Sequence, residues 1–262
     1  MATAVLALQP RPLGLRYYAR VIAQETRYEF LKLFRAKAFS LSVIGFPVMF
    51  YVIFGLTNHH TEYARYLLAS YSCFGMVGAA LFGLGAGIAM ERAQGWLELK
   101  QASPMPRFAY LIAKTVACAA IALITVAILL ALGLTMAGVT MSALEAIELI
   151  AITLAGAVPF AAMGLLISFI LPPNAGAGMI NIIYLPMSYA SGLWMPINML
   201  PHWVQRLAPA LPTYHYAQLA LNIFGYAQPS GSMLLHWEAL IGFTCLLLGA
   251  AWLVFTRSEA TA

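Results

Sequence analysis

The chain has 262 residues, 62% hydrophobic and only 9% charged, with a formal net charge of +5 and a mean hydropathy of +0.83. A soluble domain carries about 25% charged residues, so this composition excludes a water-soluble globular protein, which could not cover its surface with polar groups. It also excludes nucleic acid as the reason for the positive charge, because the basic residues flank apolar runs instead of lining one soluble face.

The N-terminal tip is a short apolar run without a basic leader, broken by Gln9-Pro10-Arg11-Pro12, and is expected to be a disordered tip and not a secretory signal. Residues 14–35 read as a helix too polar to span. Arg16, Arg20, Gln24 and Arg27 recur three or four apart, with Leu15, Tyr18, Val21 and Ile22 on the other side. Such a helix lies in the headgroup layer, as an anchor for the first span, a surface for a cytoplasmic partner, or both.

Beyond it, charge is absent from 38–61, 66–90, 115–144, 149–205 and 239–256. About 20 apolar residues cross ~30 Å of hydrocarbon as a helix, and Pro172-Pro173-Asn174 divides the longest run. The expectation is one all-α membrane domain over 1–262 with six crossings near 38–57, 66–90, 108–137, 147–171, 177–194 and 238–256. Cys73, Cys118 and Cys245 all fall inside these spans, without metal-site spacing.

Retention of Lys and Arg on the cytoplasmic side orients the chain. Arg11, Arg16, Arg20, Arg27, Lys32, Arg35, Lys37, Arg92, Lys100, Arg107, Lys114 and Arg257 fall on one side, against Arg65 and Arg206 on the other. Both termini are therefore expected in the cytoplasm, with the protein in the cytoplasmic membrane and its basic flanks against lipid headgroups.

Span two carries Gly75, Ala79, Gly83 and Gly87 four apart, a stripe that lets another helix backbone approach closely. Pro47, Pro159 and Pro186 should kink spans one, four and five. The loop after span two, residues 91–106, is an amphipathic helix broken at Gly95 and stopped at Pro104. Trp96, Leu97 and Leu99 give it apolar area; Glu91, Arg92, Glu98 and Lys100 give it charge. Lys114, a turn or two into span three, can snorkel to the cytoplasmic interface. Ser142 and Glu145 form a capping box at the start of span four.

Span five is the polar one, with Asn181, Tyr184, Ser188, Tyr189 and Ser191. Residues 195–237 are interrupted by Pro196, Pro201, Pro209 and Pro212, and should form two short helices dipping into the outer leaflet. Trp194, Trp203, Tyr214, Tyr216 and Trp237 would then sit at headgroup depth. His59, His60, His202, His215 and His236 all map to this side as interfacial polar tips; a metal or pH site would require convergence that their spacing does not show.

Glu91, Arg92, Gly95, Leu97, Glu98, Ser103 and Pro104 resemble the E-R-E-x-G-T-L-E…Ser/Thr-Pro loop of ABC-2 type permeases of ATP-binding-cassette transporters. Here Trp96 replaces the usual Thr, Ala93 a frequent acidic residue and Lys100 a frequent apolar one. The outer segments Ser191-Gly192-Leu193-Trp194-Met195-Pro196, Leu200-Pro201-His202-Trp203 and Leu211-Pro212 are similar to further family signatures. The resemblance implies a permease that dimerises, as a homodimer or a heterodimer, and docks an ATPase subunit through the loop after span two, including Trp96, and the N-terminal helix. It also implies that span five lies near the dimer seam, which would put Asn181, Tyr184 and Ser188 on the translocation route.

The chain has no aspartate and no G-x-x-x-x-G-K-[ST] loop, so it offers neither a phosphate cradle nor a Walker-B Asp. No catalytic, cofactor-binding or metal site is expected in this chain, and ATP and Mg²⁺ would belong to the partner subunit. A membrane-embedded enzyme would need a catalytic cluster within the spans, and a secondary transporter a mid-membrane ionisable group; the spans offer only Lys114.

Overall fold

The computed structural model describes residues 14–57, 61–102, 105–172, 176–229 and 231–260. The N-terminal tip, His59, His60, Ser103 and Pro104 lie outside the described residues. Among the described residues no strand forms; the protein is an all-α integral membrane protein.

Helix α1 (Leu15–Arg35) precedes α2 (Lys37–Phe50), which continues through a π-helical turn, Tyr51–Leu56. The next long helix comprises α3 (Thr61–Ala80), a π-helical turn (Leu81–Ala86) and α4 (Gly87–Ala93). Helix α5 (Trp96–Ala102) follows Gly95, whose φ of 73° only glycine adopts without strain. Then come α6 (Arg107–Thr135), α7 (Ala143–Ala155) and α8 (Ala157–Ile170). The junction of α7 and α8 falls at Gly156, three residues before Pro159, whose missing N–H leaves the Ala155 carbonyl without its helical donor. Helix α9 (Gly176–Ala190), α10 (His202–Leu207), α11 (Pro212–Asn222) and α12 (Met233–Ala260) complete the chain.

Five helices are long and apolar enough to cross a bilayer: Lys37–Leu56, Thr61–Ala93, Phe108–Thr135, Ala143–Ile170 and Met233–Thr256. The crossing expected at 177–194 is represented by α9, whose 15 residues extend ~22 Å at 1.5 Å per residue, short of ~30 Å of hydrocarbon. The helix stops because the chain turns at Gly192 (φ 78°) and Leu193 N–H closes back on the Ser188 carbonyl at 3.1 Å.

The Thr61–Ala93 helix is the hub, with 78% of its apolar window buried, whereas α12, at 11%, is a peripheral helix. Glycine makes the hub possible. A Cβ on Gly75 would lie 3.0 Å from Thr125, and one on Gly83 would overlap Cys118 Sγ, both on α6; Gly87 lies farther along the same line, opposite Lys114. Ala79, between them, is fully buried. A second stripe serves α9: Gly78 meets Tyr184 and Gly85 meets Ile180. In lipid, where apolar burial adds little between helices, such close packing drives association.

At one end of the bundle, Arg65 pairs with Glu145 at 3.0 Å, Tyr66 donates to the Gly192 carbonyl and Tyr226 to Glu62. The Ser142–Glu145 capping box forms there. Two expectations for this end need correction. Tyr216 is not an interfacial tip: it is fully buried, donates to the Thr153 carbonyl at 3.0 Å and packs on Phe160. His215 and His236 are likewise buried, and they meet. Their side chains are drawn inward because α11 is a packed element, with every residue from Pro212 to Leu221 buried. Trp203 on α10, by contrast, is 70% exposed.

Candidate functional site: an ion cluster at the basic end

The opposite end gathers charge from four helices. Glu25, Glu29 and Lys32 lie at i, i+4 and i+7 on α1, a spacing that puts them on one face. That face meets Glu91 of α4, Lys100 of α5, and Tyr110 and Lys114 of α6. Lys114 Nζ donates to Glu29 Oε2 at 3.0 Å and to Glu91 Oε1 at 2.8 Å. Lys100 Nζ donates to Glu29 Oε1 at 3.0 Å and also to Glu25. Lys32 pairs with Glu29 at 2.6 Å and with Glu91. Tyr110 donates its hydroxyl to Glu91, and its ring lies under Lys100, 4.5 Å from the ammonium. Among the described residues, three lysines here face three glutamates.

Burial makes the cluster consequential, since Lys114 is 1% exposed and Glu29 3%. Lys114 therefore does not snorkel to the interface, as the sequence suggested; two carboxylates hold it inside the bundle. Burial opposes ionisation of Glu29, but the ammonium of Lys114, with Lys32 and Lys100, outweighs it and holds the carboxyl down at about 2. Burial also disfavours the charges of Lys32 and Lys100, yet the hydrogen bonds that Lys32 donates to Glu29 and Glu91, and Lys100 to Glu25 and Glu29, keep both above the usual lysine value.

The sign of the pH dependence follows. Glu29 ionises more readily folded than unfolded, so its contribution is complete above its ordinary 4.5 and disappears as pH falls through about 2. Lys32 and Lys100 act in the other direction: their contribution is complete below their ordinary 10.5 and is lost only at more alkaline pH. The attachment of α1 is therefore expected to weaken as pH falls below about 4.5. Thermal unfolding of wild type and Glu29→Gln across that range checks this; identical acid profiles would contradict it.

Of the loop residues singled out by sequence, Glu91 faces inward into the cluster. Arg92 donates to the Leu171 carbonyl at 3.2 Å, closing the end of α8. Gly95 supplies the corner between α4 and α5, and Leu97 packs against the core. Trp96 and Leu99 point outward, 54% and 66% exposed. Glu98 belongs to α5, but its side chain, like Ser103 and Pro104, lies outside the described residues. On α9, Tyr184 donates to the Phe74 carbonyl at 2.8 Å and stacks on that ring. Ser188 is fully buried without a partner for its hydroxyl, while Asn181, nearer the basic end, is exposed. The three thus differ in burial along α9. Sequence reasoning missed Glu25, Glu29, Lys32 and Tyr110; the i, i+4, i+7 charges on α1 were the available signal.

The polar entry helix and the loop helix after the hub are thus clamped to α6 of a helical membrane domain. A family model for the ABC-2 type transporter matches residues 21–224, and the chain belongs to that family. It is 26% identical over 246 residues to the "Putative transport permease YvfS" of Bacillus subtilis (strain 168), covering 92% of this chain and 99% of that protein.

Proposed function

We propose that this permease is the membrane subunit of an ATP-binding-cassette exporter, working as a dimer, with ATP hydrolysed on a separate subunit that docks at the basic, cytoplasmic end. The observation that carries this reading is the ion cluster. It joins α1, α4 and α5 to α6, so a push on the short loop helix moves a transmembrane helix instead of bending a loop. The same loop turns Trp96 and Leu99 outward, the apolar anchors a docking partner would cover. A chain without aspartate or a phosphate loop needs such a partner for ATP-driven work. The substrate would be amphipathic, entering from the cytoplasmic side.

The test is affinity purification of the full chain from its native membranes, followed by assay of bound ATPase. Wild type should retain an ATP-binding-cassette ATPase, and Trp96→Ser with Leu99→Glu should lose most of it while thermal stability stays unchanged. Equal retention by the double variant, or no ATPase with wild type, would overturn the proposal.

A further inference from the structure

The buried pair His215 and His236 lies at the end of the bundle opposite the ion cluster and fastens α11 to α12. Its Nδ1 atoms are 2.9 Å apart. His215 Nε2 lies 2.9 Å from the Pro209 carbonyl oxygen. A carbonyl only accepts, so His215 Nε2 carries a hydrogen, and the neutral ring offers Nδ1 as acceptor. His236 must then donate from Nδ1. The two rings are 5% and 3% exposed.

This arrangement has an asymmetric response to protons. A first added proton goes to His236 Nε2, whose bond from Nδ1–H to His215 survives and becomes charge-assisted. A second must go to His215 Nδ1, the acceptor itself. Two N–H groups would then face each other at hydrogen-bond distance, between two like charges.

Among the described residues nothing charged relieves that repulsion. The groups against the rings are the Pro209 carbonyl and the aromatic rings of Tyr214 and Phe243. Among the described residues no carboxylate pairs with either histidine. On the elements packed against α11, Arg65 of α3 is held by Glu145 of α7 and Glu62 accepts from Tyr226. Glu148 of α7 and Glu238 of α12 are exposed, as is Arg206 of the neighbouring α10. Just past the end of α9, the neutral Ser191 is bonded to Thr213 of α11.

We propose that His215 and His236 form a single-proton latch that holds α11 against α12 at neutral pH and releases it when both rings become protonated. Helix α11 also packs on α3, α7 and α9, so release would loosen this end of the bundle while leaving the distant ion cluster in place.

The full chain, labelled with ¹⁵N-histidine and reconstituted in nanodiscs, tests this by NMR titration and thermal unfolding. The exposed His202 serves as the internal reference. The pair should take up its two protons in separated steps, with the thermal midpoint falling several degrees at the second step. In His236→Gln the amide can donate to a neutral His215 or turn its oxygen to accept from a protonated one. That variant should keep the neutral-pH midpoint and lose the acid-dependent fall. Two rings that take up their protons independently of each other, or an acid-dependent fall that persists in His236→Gln, would overturn the latch.

Discussion

Replacing Lys114 with Met is expected to cost ~3–5 kcal/mol, the range for removing one partner of a buried ion pair. The cost arises from what remains. Glu29 and Glu91 both accept from the same ammonium; without it they face each other with Lys32 still bridging them. Their repulsion should detach α1, measured as a lower thermal midpoint and as new proteolytic cleavage within 15–35. Lys114→Met combined with Glu29→Gln and Glu91→Gln should recover most of the lost stability, because neutral groups of similar shape remove the uncompensated charge. That recovery separates two roles. If the triple variant is stable and still exports, the cluster serves only as a fastener. If it is stable but its transport no longer follows ATP hydrolysis, the cluster carries motion from the loop to α6. A Lys114→Met protein as stable as wild type would remove the cluster from either role.

The sequence shows its long helices plainly because a lipid environment leaves few alternatives: a backbone in hydrocarbon must satisfy its own hydrogen bonds, and charge-free runs mark where it does so. The small-residue stripe was legible for the same reason, since Gly75, Gly83 and Gly87 face one neighbour, α6. What periodicity could not supply was pairing across distance. Glu29 and Lys114 are 85 positions apart, and His215 and His236 are 21. In each case a polar side chain on an otherwise amphipathic or apolar helix was assigned to the nearest water. Inside a bundle the same side chain can instead find a partner from a helix that sequence alone does not place beside it. Helix α11 shows this most clearly. Its Thr213, Tyr214, His215, Tyr216 and Gln218 look interfacial by composition, yet all are buried, and four of them have hydrogen-bond partners: Thr213 with Ser191, His215 with His236, Tyr216 with Thr153, and Gln218 with the Gln228 amide.

Gly164→Ala should destabilise the protein by ~1–3 kcal/mol, the usual range for forcing extra atoms into a filled interior. A Cβ at this position of α8 would lie 2.9 Å from the Ala80 carbonyl oxygen and 3.2 Å from the Gly85 backbone nitrogen. Both are main-chain atoms of the hub helix at its π-helical turn, so no rotamer change can make room; α8 and the hub must move apart. The added methyl also has a favourable effect, because Ala is ~1 kcal/mol better than Gly in a helix interior, and the prediction is that crowding wins. Gly242→Ala supplies the control: it lies within α12, where nothing approaches an added Cβ within 4 Å, so only the propensity gain remains and the change should be neutral or slightly stabilising. Paired thermal unfolding of the two variants in the same nanodiscs isolates the crowding, since each adds one methyl to one helix. Equal midpoints would mean that the α8–hub contact is looser than its geometry, and the π-turn would then be free to slide against α8 without cost.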